Sequence, residues 1–416
     1  LAALATVGAA QAQSSVTVYG VLDAGYSDTE KTVAGVSNSQ KAFSFSNYTS
    51  SRFGLRGTED LGGGTSAFFT AEFGLQPENT TWAPNNRQSF VGLKKNGLGQ
   101  ASIGTQYTPI HTAVGATDPG QQNQVMGNVI YGAASGFDTK LAGVQILSNS
   151  TDNYTVRTNN QLKLQSDKVA GFTVTGILVA NNTNSTQTSA ITATNGVGTS
   201  NSGYYGGLNN QNGWGLGVNY EWQKLLVTAN YQAFTSKNPI SNTYAYGTSY
   251  STASPTVLSG TTAVTPTGAP AAWNQSSGGS NIQDNQAYVG ATYDFGILKA
   301  YAQWSNRKAS AQENSNIYLK RSAQQIGVRS FITPTVEAWA SAGNGRYQSY
   351  GLSNPTANFT GYQLGSNYWL SKRTNLYAIY GGFNTSTVTI VNATGVTNGN
   401  YSANANNYAV GVRHTF

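Results

Sequence analysis

The chain has 416 residues, of which only 9% are Asp, Glu, Lys or Arg and 38% are hydrophobic, with 48 Gly and 25 Tyr. A soluble chain of this length would divide into units with charged surfaces, at about 25% charged residues overall, so this composition argues against a soluble protein. The net charge is +7, with a pI near 9.3, yet the longest basic runs are pairs, among them Lys94-Lys95, Lys320-Arg321 and Lys372-Arg373, which gives no nucleic-acid-binding patch.

Residues 1–12, LAALATVGAAQA, are small and apolar and end in Ala10-Gln11-Ala12. They read as the remainder of a secretory signal, with cleavage after Ala12. The sequence therefore divides into 1–12, a residual signal segment, and 13–416, a single domain. No later run reaches the ~18 apolar residues of a spanning helix. A closed barrel remains, since it too satisfies every backbone group internally.

From Gln13 onward one unit recurs: an alternating strand, a short turn, another strand, a long polar loop. Residues 15–26 form the first strand. The hairpin within 49–75 follows, with Phe53 and Leu55 on one face and Arg52, Gly54 and Arg56 on the other. Its return strand sets Ala67, Phe69, Ala71 and Phe73 against Ser66, Phe68, Thr70 and Glu72. Glu59 to Gly64 make the turn, whose glycines accept positive φ. Strands at 87–93 and 101–107 come next. In 87–93, Arg87 shares its parity with Val91 and Leu93, so strict alternation conflicts with placing the arginine inward. The strand 157–165 separates Arg157, Asn159, Gln161, Lys163 and Gln165 from Thr158, Asn160, Leu162 and Leu164. Further strands are expected at 172–180, 214–222, 225–234, 285–293, 297–306, 322–330, 335–343, 360–370, 375–383 and 408–416.

These make sixteen strands, each near the ~9–11 residues that cross a bilayer at a tilt. An even count lets the last strand pair with the first and leaves no edge. Short turns alternate with long Asn/Ser/Thr/Gly-rich connections, and aromatics such as Tyr19, Trp214, Trp222, Trp304, Trp369 and Tyr380 fall near strand ends, as interfacial girdles require. In YAVGVRHTF, Tyr408, Val410, Val412, His414 and Phe416 share one face, a strand suited to barrel closure and assembly. The expected fold is all-β: a sixteen-stranded antiparallel transmembrane β-barrel with short periplasmic turns and long extracellular loops.

Several stretches carry a resemblance: SSVTVYGVLDAGY at 14–26, SSRFGLRGTEDLGGGTSAFFTAEFGL at 50–75, the segment 87–120, VRTNNQLKLQSDKVAGFTV at 156–174 and the YAVGVRHTF strand. In these the chain resembles the general porins of Gram-negative bacteria, of the trimeric sixteen-stranded type common in β-proteobacteria. The resemblance implies a cell outer-membrane location, a homotrimer in contact with outer-membrane lipid and lipopolysaccharide, and passive diffusion of small hydrophilic solutes. It also implies that the third long loop, after Tyr107-Thr108-Pro109, folds into the barrel. Arg52, Arg87 and Arg157 then match the family's arginine wall, with Glu72 and Asp118 as acidic partners at the pore constriction. Thr105 stands where the family often has a basic residue, and Gly120 where it often has an aromatic one. A surplus of one positive charge leads to the expectation of a moderate preference for small anions.

Other classes find less support. The chain has two histidines, His111 and His414, and no cysteine, no Gly-x-Ser-x-Gly and no His-Glu-x-x-His, so neither a hydrolase nor a transition-metal site is expected. No cofactor is expected either. A channel specific for a sugar or an organic acid is the second reading, and a surface adhesin the third.

Overall fold

The structure is a computed structural model and describes residues 15–33, 36–78, 80, 84–131, 151, 153–182, 210–238, 280–311, 318–349, 356–391 and 397–416. The segment 1–12 read as a signal remnant, and residues 132–150 of the third long loop, lie outside the described residues. In chain order the elements are β1 (Ser15–Val33), β2 (Val36–Phe45), β3 (Arg52–Gly62), β4 (Thr65–Gly74), β5 (Asn85–Lys95), β6 (Gly99–Tyr107), helix α1 (Pro109–Thr117), β7 (Arg157–Ser166), β8 (Phe172–Asn182) and β9 (Asn210–Trp222). They continue as β10 (Leu225–Asn238), β11 (Ser280–Asp294), β12 (Lys299–Ala311), β13 (Tyr318–Phe331), β14 (Val336–Ser349), β15 (Thr356–Trp369), β16 (Thr374–Thr385), β17 (Val388–Val391), β18 (Thr397–Tyr401) and β19 (Ala403–Thr415).

The barrel has sixteen staves because β2 and β3 share one. The lower half of β1 pairs with β3, Val16 opposite Gly57, and its upper half pairs with β2, Tyr26 opposite Phe43. Antiparallel pairing then runs without a break from β3 to β16, and β19 joins β16 to β1. The pair β17–β18 forms a separate hairpin in the connection before β19. Closure is completed by Gly20 and Phe416, whose backbones exchange hydrogen bonds of 3.0 and 3.1 Å. The Phe416 ring lies on Gly20, where a Cβ would collide with it.

Alternation inverts the usual core. On β15, Gln363 and Asn367 are buried inside the barrel while Tyr362, Leu364 and Tyr368 are exposed outside. Each outward row meets lipid and each inward row meets water or other polar groups. Trp214, Trp222, Trp304, Tyr380 and Tyr408 lie outward, as girdle residues should. Tyr19 departs from that expectation and points inward, its hydroxyl bonded to Glu72.

Most strands run farther on the long-loop side than expected. β1 reaches Val33 rather than residue 26, and β10 reaches Asn238 rather than 234. Nearly all of their added residues are polar or charged, Ser27 to Thr32 in β1 and Thr235 to Asn238 in β10, and this polarity hides the period of two once lipid no longer selects for it. The barrel's outline is thus set by ladder pairing where hydropathy is silent.

Because Phe416 supplies both the last ladder bonds to Gly20 and the ring that covers it, deleting Phe416 should sharply lower the yield of folded barrel. Heat-modifiable migration on gels checks this, with Phe416→Tyr expected to restore folding.

Candidate functional site

The lumen-facing rows of β1 and β3–β7 gather Glu72, two tyrosines and several cations. Arg52 and Glu72 come from adjacent strands near the long-loop end of the hairpin. Arg87 Nε lies 2.8 Å from Glu72 Oε1, and Arg52 Nε 3.5 Å from Glu72 Oε2. The Tyr19 hydroxyl donates to Glu72 Oε2 at 3.1 Å and Tyr107 to Glu72 Oε1 at 3.3 Å, while Arg87 Nη2 donates to the Tyr107 oxygen at 2.8 Å. Glu72 is therefore held by four side chains. A carboxylate left alone in such a place would cost about 3–5 kcal/mol, so its role is to compensate the arginines at close range. Arg56 continues the row, its guanidinium 5.2 Å from the centre of the Tyr19 ring.

A β-bulge resolves the conflict over Arg87. Glu72 pairs with Gln88 but Phe73 pairs with Asn86, so Arg87 is the extra residue. One inserted residue reverses the phase of the strand above it. Arg87 can then turn inward although Val91 and Leu93, of the same parity, remain exposed on the outer face. A second irregularity between Gly104 and Gln106 sets Tyr107 opposite Arg157. The Arg157 guanidinium lies within electrostatic reach of Arg87, Tyr107, Tyr131 and Glu72, and its buried Nε has no hydrogen-bond partner among the described residues.

The third long loop enters the barrel and lies along the opposite wall. Its first turn is α1, which sequence periodicity missed because nine residues give too few turns to show it. Thr108 caps the helix by accepting from the His111 backbone N–H, and Pro109 occupies the first turn. The wall then grips the loop's backbone. Arg329 donates to the Pro119 carbonyl at 2.6 Å, Arg321 to that of Val129 at 3.0 Å and Arg307 to that of Thr151 at 2.8 Å. Gln363 donates to the Val125 and Met126 carbonyls, and Gln325 accepts from the Val129 N–H. Bonds to charged groups each contribute about 1.5–3 kcal/mol, so these clamps outweigh the cost of ordering a Gly-rich segment. The backbone at Gly127, φ +101°, lies against Tyr362, and that at Met126 against Gly381; no side chain would fit at either glycine.

A peg from another loop completes the grip. The segment joining β2 to β3 turns inward and buries Tyr48, whose hydroxyl donates to Gln121 and accepts from Arg329 and Asn367. Asp23 fixes the peg by accepting from the Tyr48 and Thr49 N–H groups, both at 2.6 Å.

Among the described residues, what the loop leaves exposed is uncharged: Thr112, Gly115, Ala116 and Gln121, with Gln122 and Gln124 partly so. Asp118 is turned away and 3% exposed. Its carboxylate accepts from the Gln122 N–H at 2.6 Å, from Asn128 and from Gln325. Burial pushes the Asp118 carboxyl up, against these hydrogen bonds and the nearby Arg329 charge.

The family model for Gram-negative porins matches residues 1–388. The chain belongs to the Gram-negative porin family. It is 31% identical over 180 residues to an outer membrane porin protein of Bordetella pertussis, covering 40% of this chain and 42% of that one. It is 34% identical over 175 residues to outer membrane porin protein 32 of Delftia acidovorans, covering 41% and 46%. The matched part thus spans less than half the length of these relatives. Among solved structures, the anion-selective porin from Comamonas acidovorans superposes with a TM-score of 0.66 at 20% identity, covering 97% of this chain and all of that one. A trimer form of OmpT of Vibrio cholerae superposes at 0.59 with 15% identity, covering 97% and 99%. These structural likenesses show the porin fold. Family, relatives and barrel together place the protein in the outer membrane as a multi-pass β-barrel, and they point to a channel rather than an enzyme.

Within this porin, Arg52, Arg87, Arg157 and Glu72 lie on one wall, and Asp118 lies apart from them in the seat of the loop. Tyr19, Tyr107 and Arg56 belong to the same wall but were not singled out from sequence. The alternation of β3 placed Arg56 beside Arg52, which was the available signal; nothing local marked the two tyrosines as carboxylate partners. Of the residues read as the closing strand, Tyr408, Val410, Val412 and Phe416 are exposed on the outer face. His414 is exposed with them and its Nδ1 is 2.9 Å from the Thr374 hydroxyl.

His111 sits between the loop and the arginine wall. Burial first, then the charges of Arg157, Arg87 and Arg52, lower its pKa from 6.5 to about 3. It is neutral in the folded protein at neutral pH and adds no charge to the lumen. Between about pH 3 and 6.5 only the unfolded state or a released loop binds the proton. The seated loop is therefore fully favoured above pH 6.5 and loses that contribution as pH falls toward 3. Loop proteolysis should rise across this interval in the native protein and rise less in His111→Gln.

Proposed function

We propose that the protein is a water-filled channel for passive diffusion of small hydrophilic solutes across the outer membrane, with a moderate preference for anions. Arg52, Arg87, Arg157 and Glu72 form its constriction, facing the loop. The observation that carries this reading is the asymmetry of charge: Arg52, Arg87 and Arg157, with Arg56 farther along the row, share one bonded carboxylate, Glu72, on the β3–β7 wall, opposite a loop whose described exposed residues carry no charge. The family resemblance implies Asp118 as a second acid there; with that carboxylate turned into the loop's seat, the positive surplus at the narrow zone is larger. Charges beyond ~8 Å are screened at physiological salt, so the overall +7 contributes less than these few residues, whose field the low-dielectric walls focus. Moderate preference, not exclusion of cations, follows from Glu72 and from the neutral Thr105.

A homotrimer in contact with outer-membrane lipid and lipopolysaccharide is part of the same proposal, supported by family membership and by the likeness to an outer membrane protein solved in a trimer form. A channel specific for an organic acid is the second reading. Arg157 favours it, since a guanidinium with an unpartnered buried Nε suits the planar fork by which arginine meets carboxylate. Saturation of conductance by a small dicarboxylate, absent with chloride, would select that reading.

In planar bilayers under a KCl gradient the reversal potential should indicate anion preference. Arg52→Ser with Arg157→Ser should lower the chloride-to-potassium permeability ratio by roughly threefold or more. A native pore that already favours potassium, or a double variant identical to it, overturns the assignment of these arginines. Absence of stepwise conductance would instead favour an adhesin.

A further inference from the structure

On the outer face of the barrel, at the long-loop end of β12–β14, three cations share lipid-side parity. Lys308 of β12 and Lys320 of β13 are direct register partners, and Arg346 of β14 sits opposite Ser322, diagonal to Lys320. Like charges placed directly opposite each other across a ladder destabilise the pair. Elsewhere on the outer face the chain avoids this: Lys41 stands opposite Asp28, with an ion pair of 3.3 Å. Here the flanking register positions are Asn285, Gln348, Ser322 and Asn358, all neutral. None of the three cations forms an ion pair with a described residue.

The contacts they do make keep them splayed over the outer surface. Lys308 Nζ lies 4.9 Å from the centre of the Tyr318 ring, and Arg346 Nε donates to Asn358 Oδ1 at 3.1 Å. The row four positions along the strands sets Trp304 beside Gln324 and Asn344, the last two bonded at 3.0 Å, and the exposed Ile326 and Tyr362 follow in the next outward row. Four residues separate Lys308 from Trp304, which on a strand tilted near 45° is a height of about 10 Å. That is headgroup depth, where an ammonium reaches phosphate and a like-charge pair gains from a shared dianion.

We propose that Lys308, Lys320 and Arg346 form a binding site for the phosphate of an outer-leaflet lipid, the phosphorylated acylated disaccharide of lipopolysaccharide, whose acyl chains lie on the Trp304–Ile326–Tyr362 belt. The site rests on the outer-membrane location and faces away from the lumen, so it is independent of the constriction.

The probe is bisphosphorylated lipid A, titrated into the folded protein in neutral detergent, beside the same lipid stripped of phosphate. The variant Lys308→Gln/Lys320→Gln/Arg346→Gln should bind lipid A at least tenfold more weakly, and Lys41→Gln, which removes an outward but paired lysine, should bind as the native protein does. Single-channel conductance and reversal potential should be unchanged in the triple variant, which separates this test from any failure of the channel reading. Should the triple variant not fold, Lys308→Gln alone should weaken binding severalfold. Equal binding by native protein and variant, equal binding of phosphorylated and stripped lipid, or displacement by an equimolar amount of inorganic phosphate each overturns the proposal.

Discussion

Every feature of this protein depends on one constraint: a backbone that crosses hydrocarbon must satisfy its own N–H and C=O groups. A sheet does so only by closing, and here closure joins β19 to β1 through thirteen register pairs, with Gly20 and Phe416 bonded just beyond them. Closure fixes parity for every stave, since a shift of one residue would turn arginine to lipid at a cost of roughly 2–4 kcal/mol near the midplane. At membrane depth the inside of the barrel is therefore where charge must go, and the chain carries little of it, 9% of its residues.

The interior then divides its cations by what they are paired with. Arg307, bonded to Asp284, and Arg329, bonded to Glu337, each donate further to a loop carbonyl, and Arg321, seated over the Tyr347 and Phe359 rings, donates to the Val129 carbonyl. On the facing wall, Arg52 and Arg87 share a single carboxylate, and Arg157 has none bonded to it among the described residues. The first group is structural because its donors hold the backbone of the seated loop. The second retains field in the lumen because one Glu72 cannot neutralise three guanidiniums. A count of charges along the chain does not separate the two groups; their partners do.

The staves were legible in the sequence because lipid enforces a period of two wherever the chain crosses it. Arg52, Glu72 and Arg157 were legible for the same reason, with the family resemblance supplying their meeting. Arg87 was not legible from periodicity, since a bulge is an insertion relative to the partner strand and leaves no trace in one strand alone. Asp118 carried a real signal, an acid beside Pro119 in the inserted loop, but its orientation depends on Asn128 and Gln325, the latter 207 positions away. The Tyr48 peg and the extended upper strands were invisible because polar side chains above the membrane follow no hydropathy pattern.

Tyr48 ties together parts of the chain that become neighbours only late in folding. Its hydroxyl meets Gln121, Arg329 and Asn367, and its ring lies 5.5 Å from that of Tyr377 and beneath the Arg413 guanidinium. Such long-range pairings carry a large loop-closure cost and form slowly. The clamps on the third loop come from β12, β13 and β15, so they exist only once those strands are in place, and an incomplete barrel would present that loop unclamped to whatever machinery surveys unfinished membrane proteins.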